Sequence, residues 1–201
     1  MSNHSGSLAN PTPLGLLGLA IVTTAAASQK LGITEGTSLL IPWAMFLGAS
    51  AQLYASIVDS KLNNVFGATA FGGYAFFWYS VGCVWMVQNG VFGETMQANA
   101  DIRQVGFAYI GYLIFSLYMT VAAAGASKLL FIILIFIDTL LIGLACSALG
   151  IMYHEMHLLA AYSEAIVAVL SFYGSAAAQL NTQFGKVILP VGKPLPIFQD
   201  K

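Results

Sequence analysis

Six stretches of the chain are continuously apolar, Leu14–Ser28, Ser38–Val58, Val65–Val87, Gln104–Ala124, Leu129–Gly150 and Leu158–Gln179. Short polar connectors at Lys30–Gly36, Asp59–Asn64, Asn89–Arg103, Gly125–Lys128 and Tyr153–His157 separate them and hold most of the charges and turn formers. A helix needs roughly 20 such residues to cross about 30 Å of hydrocarbon, and with their flanks the runs meet that length. They are long and unbroken, without the alternation at every second residue that marks a membrane barrel strand. A spanning segment must also satisfy its own backbone hydrogen bonds, which a helix does. The pattern therefore predicts an all-α membrane protein, a bundle of six transmembrane helices.

Small residues recur inside the runs, among them Gly15, Gly18, Gly48, Gly72, Gly73, Gly143 and Ser147. They let helix backbones approach closely, so a compact bundle is expected. Trp43, Trp85, Tyr109 and Tyr153 lie towards run ends, where interfacial anchoring is the ordinary role of such rings. An even number of spans puts both termini on one side. That side carries Lys61, Lys128, Lys186, Lys193 and Lys201, against Lys30 and Arg103 opposite, so the positive-inside bias predicts cytoplasmic termini in an inner or plasma membrane. The expected division is a tail over residues 1–9, a membrane domain over 10–185 and a cytoplasmic tail over 186–201. Met1–Asn10 has neither the basic nor the apolar region of a cleavable signal, so the first run is expected to stay as a span. Asn3-His4-Ser5 fits a glycosylation sequon, a match short enough to arise by chance.

Composition agrees: 58% of the 201 residues are hydrophobic, 7% are charged and mean hydropathy is +0.80, whereas a soluble domain is about 25% charged. With a net charge of −1 and no basic cluster, nothing here can displace counterions from phosphates, and nucleic acid is excluded as a partner. Cys83 and Cys146 sit within apolar runs and read as small buried hydrophobes. No cofactor, metal or enzyme motif is complete. His154-Glu155-Met156-His157 is one residue short of H-E-x-x-H and reads as a polar loop, no phosphate-binding glycine loop occurs, and no lysine lies inside a span to hold retinal.

Asn10-Pro11-Thr12-Pro13-Leu14 opens the first span with helix-start grammar. Free amides at such a start also attract carboxylates, so Asn10 is a candidate contact. Asp138 and Glu164 are the acidic side chains well within apolar runs, where an ionisable group is costly enough to suggest a function. Each is a candidate to couple a proton to anion movement, or a carboxyl hydrogen-bonded between helices; Glu164 also lies near enough to a span start to reach water. Gln52 and Ser56 share one face of the second span, and Thr69, Gly73 and Ser80 one face of the third. Such stripes line pores or join helices.

Three landmarks resemble the acetate uptake transporters, or succinate-acetate permeases: Asn10-Pro11-Thr12-Pro13-Leu14-Gly15-Leu16; Phe66-Gly67-Ala68-Thr69-Ala70-Phe71 with Tyr74 and Phe77-Trp78; and Asn181-Thr182-Gln183-Phe184-Gly185-Lys186 with Leu189-Pro190-Val191-Gly192. The resemblance implies a protomer of six helices, assembled as a homo-hexamer in lipid, in which each protomer passes acetate or another short carboxylate such as succinate through its own bundle. It implies a throat of three hydrophobic residues, falling on Leu19, Tyr74 and Ile137. Leu19 stands where the family has Phe, Ile137 where it has Leu, and Thr12 where the signature has Ala. Glu164 occupies a position expected to be small and neutral. Within such a pathway Thr23 and Gln52 become candidate carboxylate contacts beside Asn10 and Thr69. Transport is expected to be proton-coupled or channel-like. A channel for urea or ammonia and a non-transporting carboxylate sensor are the alternatives.

Overall fold

The computed structural model describes residues 8–196, and within them the six expected spans are all helical. They run Thr12–Lys30, Leu40–Lys61, Val65–Gln88, Ile102–Ala123, Lys128–Ala148 and Tyr153–Phe184. The glycosylation triplet lies outside the described residues. Helix starts are set by side chains that accept the first free amides: Asn64 Oδ1 takes Gly67 N–H at 3.2 Å, Asp101 Oδ1 takes Arg103 N–H at 3.0 Å and Ser127 Oγ takes Leu130 N–H at 3.2 Å. The Arg103 guanidinium also grips Asp101 and lowers its exposed carboxyl to about 2.

Three local expectations change. The sixth helix begins at Tyr153, so His154-Glu155-Met156-His157 forms its first turns rather than a polar loop; His157 Nε2 there meets the Lys30 carbonyl at 3.1 Å. The long connector between the third and fourth spans contains a short helix, Glu94–Ala98. Cys83 is exposed on the outer surface instead of buried, as an apolar span allows when its outward face meets lipid. The second span is π-helical over Trp43–Ala49.

Around the bundle the spans pack in the order fourth, fifth, sixth, first, second, third, and the third leans only lightly on the fourth. The small residues stand at the crossings. A Cβ on Gly18 would lie 3.0 Å from the Leu47 carbonyl, and one on Gly48 would lie 2.9 Å from Val22. Residues 186–196 are not helical but are tied down on the bundle. Leu129 N–H donates to the Val191 carbonyl at 3.0 Å, Leu195 N–H to Ala124 at 2.8 Å, and Tyr173 Oη–H to Pro190 at 2.9 Å. Asn181 Oδ1 accepts the amides of Ile188 and Leu189. The last turns of the sixth helix and the start of the fifth are thereby joined at the end where the first helix begins.

Candidate functional site

Two cavities enter the bundle axis from opposite ends. The first, of about 480 Å³, opens beside the start of the first span (Thr12), the end of the second (Asp59) and the link between the fourth and fifth (Gly125, Ala126). Its deeper wall holds Leu19, Gln52, Tyr74 and Ile137. The second, of about 460 Å³, lies at the other end among Lys30, Gln88, Ser147, His157 and Glu164, and its inner wall includes Phe77 and Trp78. Phe77 and Trp78 follow Tyr74 by three and four residues, or one helical turn of about 5.4 Å. On the third span the two linings are thus about one turn apart, while on the fifth Ile137 and Leu144 are seven residues apart and on the first Leu19 and Gln29 are ten, so the layer dividing the cavities is thinnest at Tyr74.

Leu19, Tyr74 and Ile137 are 6%, 6% and 5% exposed and face the same cavity. The Tyr74 ring is fixed from behind. It meets Phe115 edge to face at 5.5 Å, and its hydroxyl donates to Ser116 Oγ at 2.9 Å. That hydrogen bond aims the polar end into the helix interface and leaves the ring's apolar body to the cavity. Gly73 makes room for this arrangement, because a Cβ there would run into the Phe115 ring.

Gln52 is buried, and its Nε2 donates to the Gly48 carbonyl at 2.9 Å, within the π-helical stretch. A carbonyl can only accept, so the amide orientation is fixed, and Oε1 is left without a protein partner. Seven residues further on, two turns along the same face, Asp59 also lines the first cavity. Sequence reading placed Asp59 in a connector. It is instead 2% exposed, with Oδ1 accepting from Asn64 Nδ2 at 3.0 Å, and its Oδ2 lies against Gly67 where any Cβ would collide with it. The seven-residue spacing from Gln52 was the available signal.

Asn64 thus has two tasks, capping the third span and donating to Asp59. Asn64→Ala is expected to lower the thermal midpoint of the detergent-purified protein by the equivalent of about 1–3 kcal/mol, the cap and the orphaned carboxyl together. Asn64→Ser should retain the cap and recover part of the loss. Equal stability of the parent and both variants would show that neither bond matters.

Three candidate contacts do not reach the cavities. Thr23 is buried, but its hydroxyl donates back to the Leu19 carbonyl at 2.7 Å, the habit of a threonine inside a helix. Thr69 is exposed on the outer face of the third span. Asn10 is exposed, and its Oδ1 accepts the Thr12 amide at 3.0 Å. With Pro13 lacking an N–H and Gly15 N–H bonded to Pro11, only Leu14 among the first amides is left to receive an anion. The helix start is a cap, not a carboxylate cradle.

The two intramembrane carboxyls have different surroundings. Asp138 lines neither cavity. Thr120 Oγ1–H donates to its Oδ2 at 2.8 Å, beside the Ser116 that receives Tyr74, and Oδ1 has no partner. Glu164 is 1% exposed on the wall of the second cavity, and Lys30 Nζ donates to its Oε2 at 2.9 Å. Sequence reading used Lys30 only to orient the chain. Trp85 and Tyr109 line the second cavity as well, while Trp43 stays exposed as an interfacial anchor would.

The model of the GPR1/FUN34/yaaH family matches residues 1–196. Over 187 residues the chain is 28% identical to the succinate-acetate/proton symporter SatP of Escherichia coli (strain K12), covering 92% of this chain and 96% of that protein. Over 127 residues it is 31% identical to ammonia transport outward protein 2 of Saccharomyces cerevisiae, covering 61% of this chain and 45% of that one. Among solved structures, the bacterial acetate channel SatP matches with a TM-score of 0.84 at 25% identity, over 92% of this chain and 99% of that one.

Proposed function

The chain belongs to the GPR1/FUN34/yaaH family, and on that premise we propose that it carries acetate and related short carboxylates across a membrane, along a path down the axis of its own six-helix bundle. The observation that carries this reading is the pair of cavities reaching inward from both ends and stopping at one apolar layer. Leu19, Tyr74 and Ile137 form the throat on one side of that layer. An apolar constriction of this kind passes solute only when it wets or widens, so it holds the barrier while the flanking cavities hydrate the cargo. Gln52 is the polar contact below the throat. Its free oxygen accepts hydrogen bonds, which suits the hydroxyl of a protonated acid or a bound water better than a bare carboxylate.

Both termini face the cytoplasm in this reading. The far end has only Lys30 and Arg103, and both are engaged by acids, with Glu164 and Asp101. Free positive charge is thus concentrated at the terminal end, at Lys61, Lys128, Lys186 and Lys193. The protomers assemble as a homo-hexamer in lipid, each with its own path.

Purified protein in liposomes should take up labelled acetate above empty vesicles, and no uptake would end the proposal. An inward proton gradient that drives accumulation above equilibrium marks a symporter; flux that only equilibrates marks a channel. The second reading, ammonia conduction, draws on the yeast relative. It predicts methylammonium flux that acetate does not inhibit.

A further inference from the structure

The second cavity contains an ion pair that no part of the throat requires. Lys30 is the last residue of the first span and Glu164 lies in the fourth turn of the sixth; they meet at 2.9 Å with side chains only 12% and 2% exposed. Withdrawing two charges from water costs several kcal/mol each, and their attraction seldom returns more than that, so such a pair is poor evidence of a stabilising device. Its placement on a cavity wall gives it another use. Among the described residues the lining of the first cavity has no cationic side chain, and its one charged residue is Asp59. The lining of the second has Lys30, with His157 beside it. A carboxylate entering from the far end therefore meets a cation that already holds a carboxylate.

We propose that the Lys30 ammonium is the docking group for a short-chain carboxylate in the second cavity, and that the incoming carboxylate takes Lys30 from Glu164, which accepts a proton as it is released. Charge balances in the exchange: the Lys30–Glu164 ion pair, one free carboxylate and one proton become a Lys30–carboxylate pair and a neutral Glu164. No bond other than O–H forms, and the net charge buried in the cavity is zero before and after. One proton is thereby tied to one carboxylate at the point of loading.

The side chains that line the cavity with Glu164 fit this role. Lys30 comes from the first span, Tyr109 from the fourth, Ser147 from the fifth, and Gln88 and Trp78 from the third, while His157 lies two turns earlier on its own helix. His157 Nε2 meets the Lys30 carbonyl, and its ring stacks on Tyr153 at 5.8 Å, at the rim of the cavity. Among the described residues no acidic side chain other than Glu164 lines the cavity, so Glu164 is the group that competes with the substrate for Lys30.

The proposal rests on the transport reading above, and the test separates the two. In liposomes, Glu164→Gln should lower the acetate KM by about tenfold, because the competing charge is gone, and abolish accumulation driven by a proton gradient. Lys30→Met should raise KM by about tenfold or more, and Lys30→Arg should recover much of the loss. The double variant Lys30→Met with Glu164→Gln leaves no charge unpaired, so it carries the test even if a single variant fails to fold. It should still raise KM and uncouple the proton. A double variant with parental KM and parental proton-driven accumulation overturns the assignment and makes the pair structural. Parental vesicles that take up no acetate overturn the transport reading and this proposal with it, whereas uptake by the parent and an unaffected double variant overturn this proposal alone.

Discussion

Tyr74→Ala is expected to join the two cavities and turn a selective acetate path into a leaky one. The ring is the bulkiest of the three residues proposed as the throat, 6% exposed, and Phe77 and Trp78 one turn away already border the opposite cavity. Removing it leaves Leu19 and Ile137 facing a gap and strips Ser116 and Phe115 of their partner. Truncating a buried aromatic costs about 3–5 kcal/mol in a packed core. Here part of the ring already faces a cavity, so the stability loss should fall at or below the lower end. The transport effect should be the larger one. Acetate flux in liposomes should rise several-fold and the flux of butyrate relative to acetate should increase, since a wider throat no longer depends on wetting a narrow apolar layer. Tyr74→Phe keeps the ring and removes only the hydrogen bond to Ser116, about 1 kcal/mol, and should transport nearly as the parent does. If Tyr74→Ala leaves both rate and selectivity at parental values, Tyr74 does not form the barrier.

Gly143→Val is expected to prevent the bundle from assembling. A Cβ on Gly143 would stand 2.6 Å from the Met156 carbonyl, 2.8 Å from the Ala160 amide and 3.0 Å from Ala160 Cβ. These are backbone and near-backbone atoms of the sixth helix and cannot swing aside as a long side chain can. The fifth and sixth helices would have to separate, losing the van der Waals contact that holds membrane helices together in the absence of a hydrophobic drive. Overpacking costs typically about 1–3 kcal/mol and more where the backbone must move, so Gly143→Ala should already lower the melting point and Gly143→Val should abolish the folded species on size-exclusion chromatography. Gly111 is the matched control, because a Cβ there would meet nothing within 4 Å. Gly111→Ala should be neutral or slightly stabilising through helix propensity. A Gly143→Val protein as stable as the parent would show that this crossing does not hold the bundle.

Hydropathy alone was enough to read the six spans, because each helix satisfies its own backbone and must be apolar along its length whatever it packs against. Helix starts at Asn64, Asp101 and Ser127 were equally local, since a cap acts within three residues. The His154–His157 stretch misled because polar side chains at the first turns of a long helix look like a loop when only composition is considered; the helix could extend there because it lies at the membrane end, over Lys30.

Leu19, Tyr74 and Ile137, which the motif resemblance implies as a throat, line one cavity. The candidate polar contacts are differently placed. Thr23 and Thr69 are polar residues in spans, but which way a helix turns its faces depends on its neighbours, and one hydroxyl bonds its own helix while the other faces outward. Asn10 is consumed by the cap it was recognised for. What the sequence by itself determined, then, is the number and approximate extent of the helices, because those are set by side chains and backbone within a few residues of each other, although the sixth helix starts five residues before the apolar run does. Only the tertiary structure decided that Asp59 turns inward beside Gln52, and that Lys30 closes on Glu164 from 134 residues away. Lys30 and Glu164 are brought together by the packing of the first span on the sixth, where Gly174 admits Leu16, and no local pattern links them. A charge on one span becomes a site only when packing delivers its counter-charge from another.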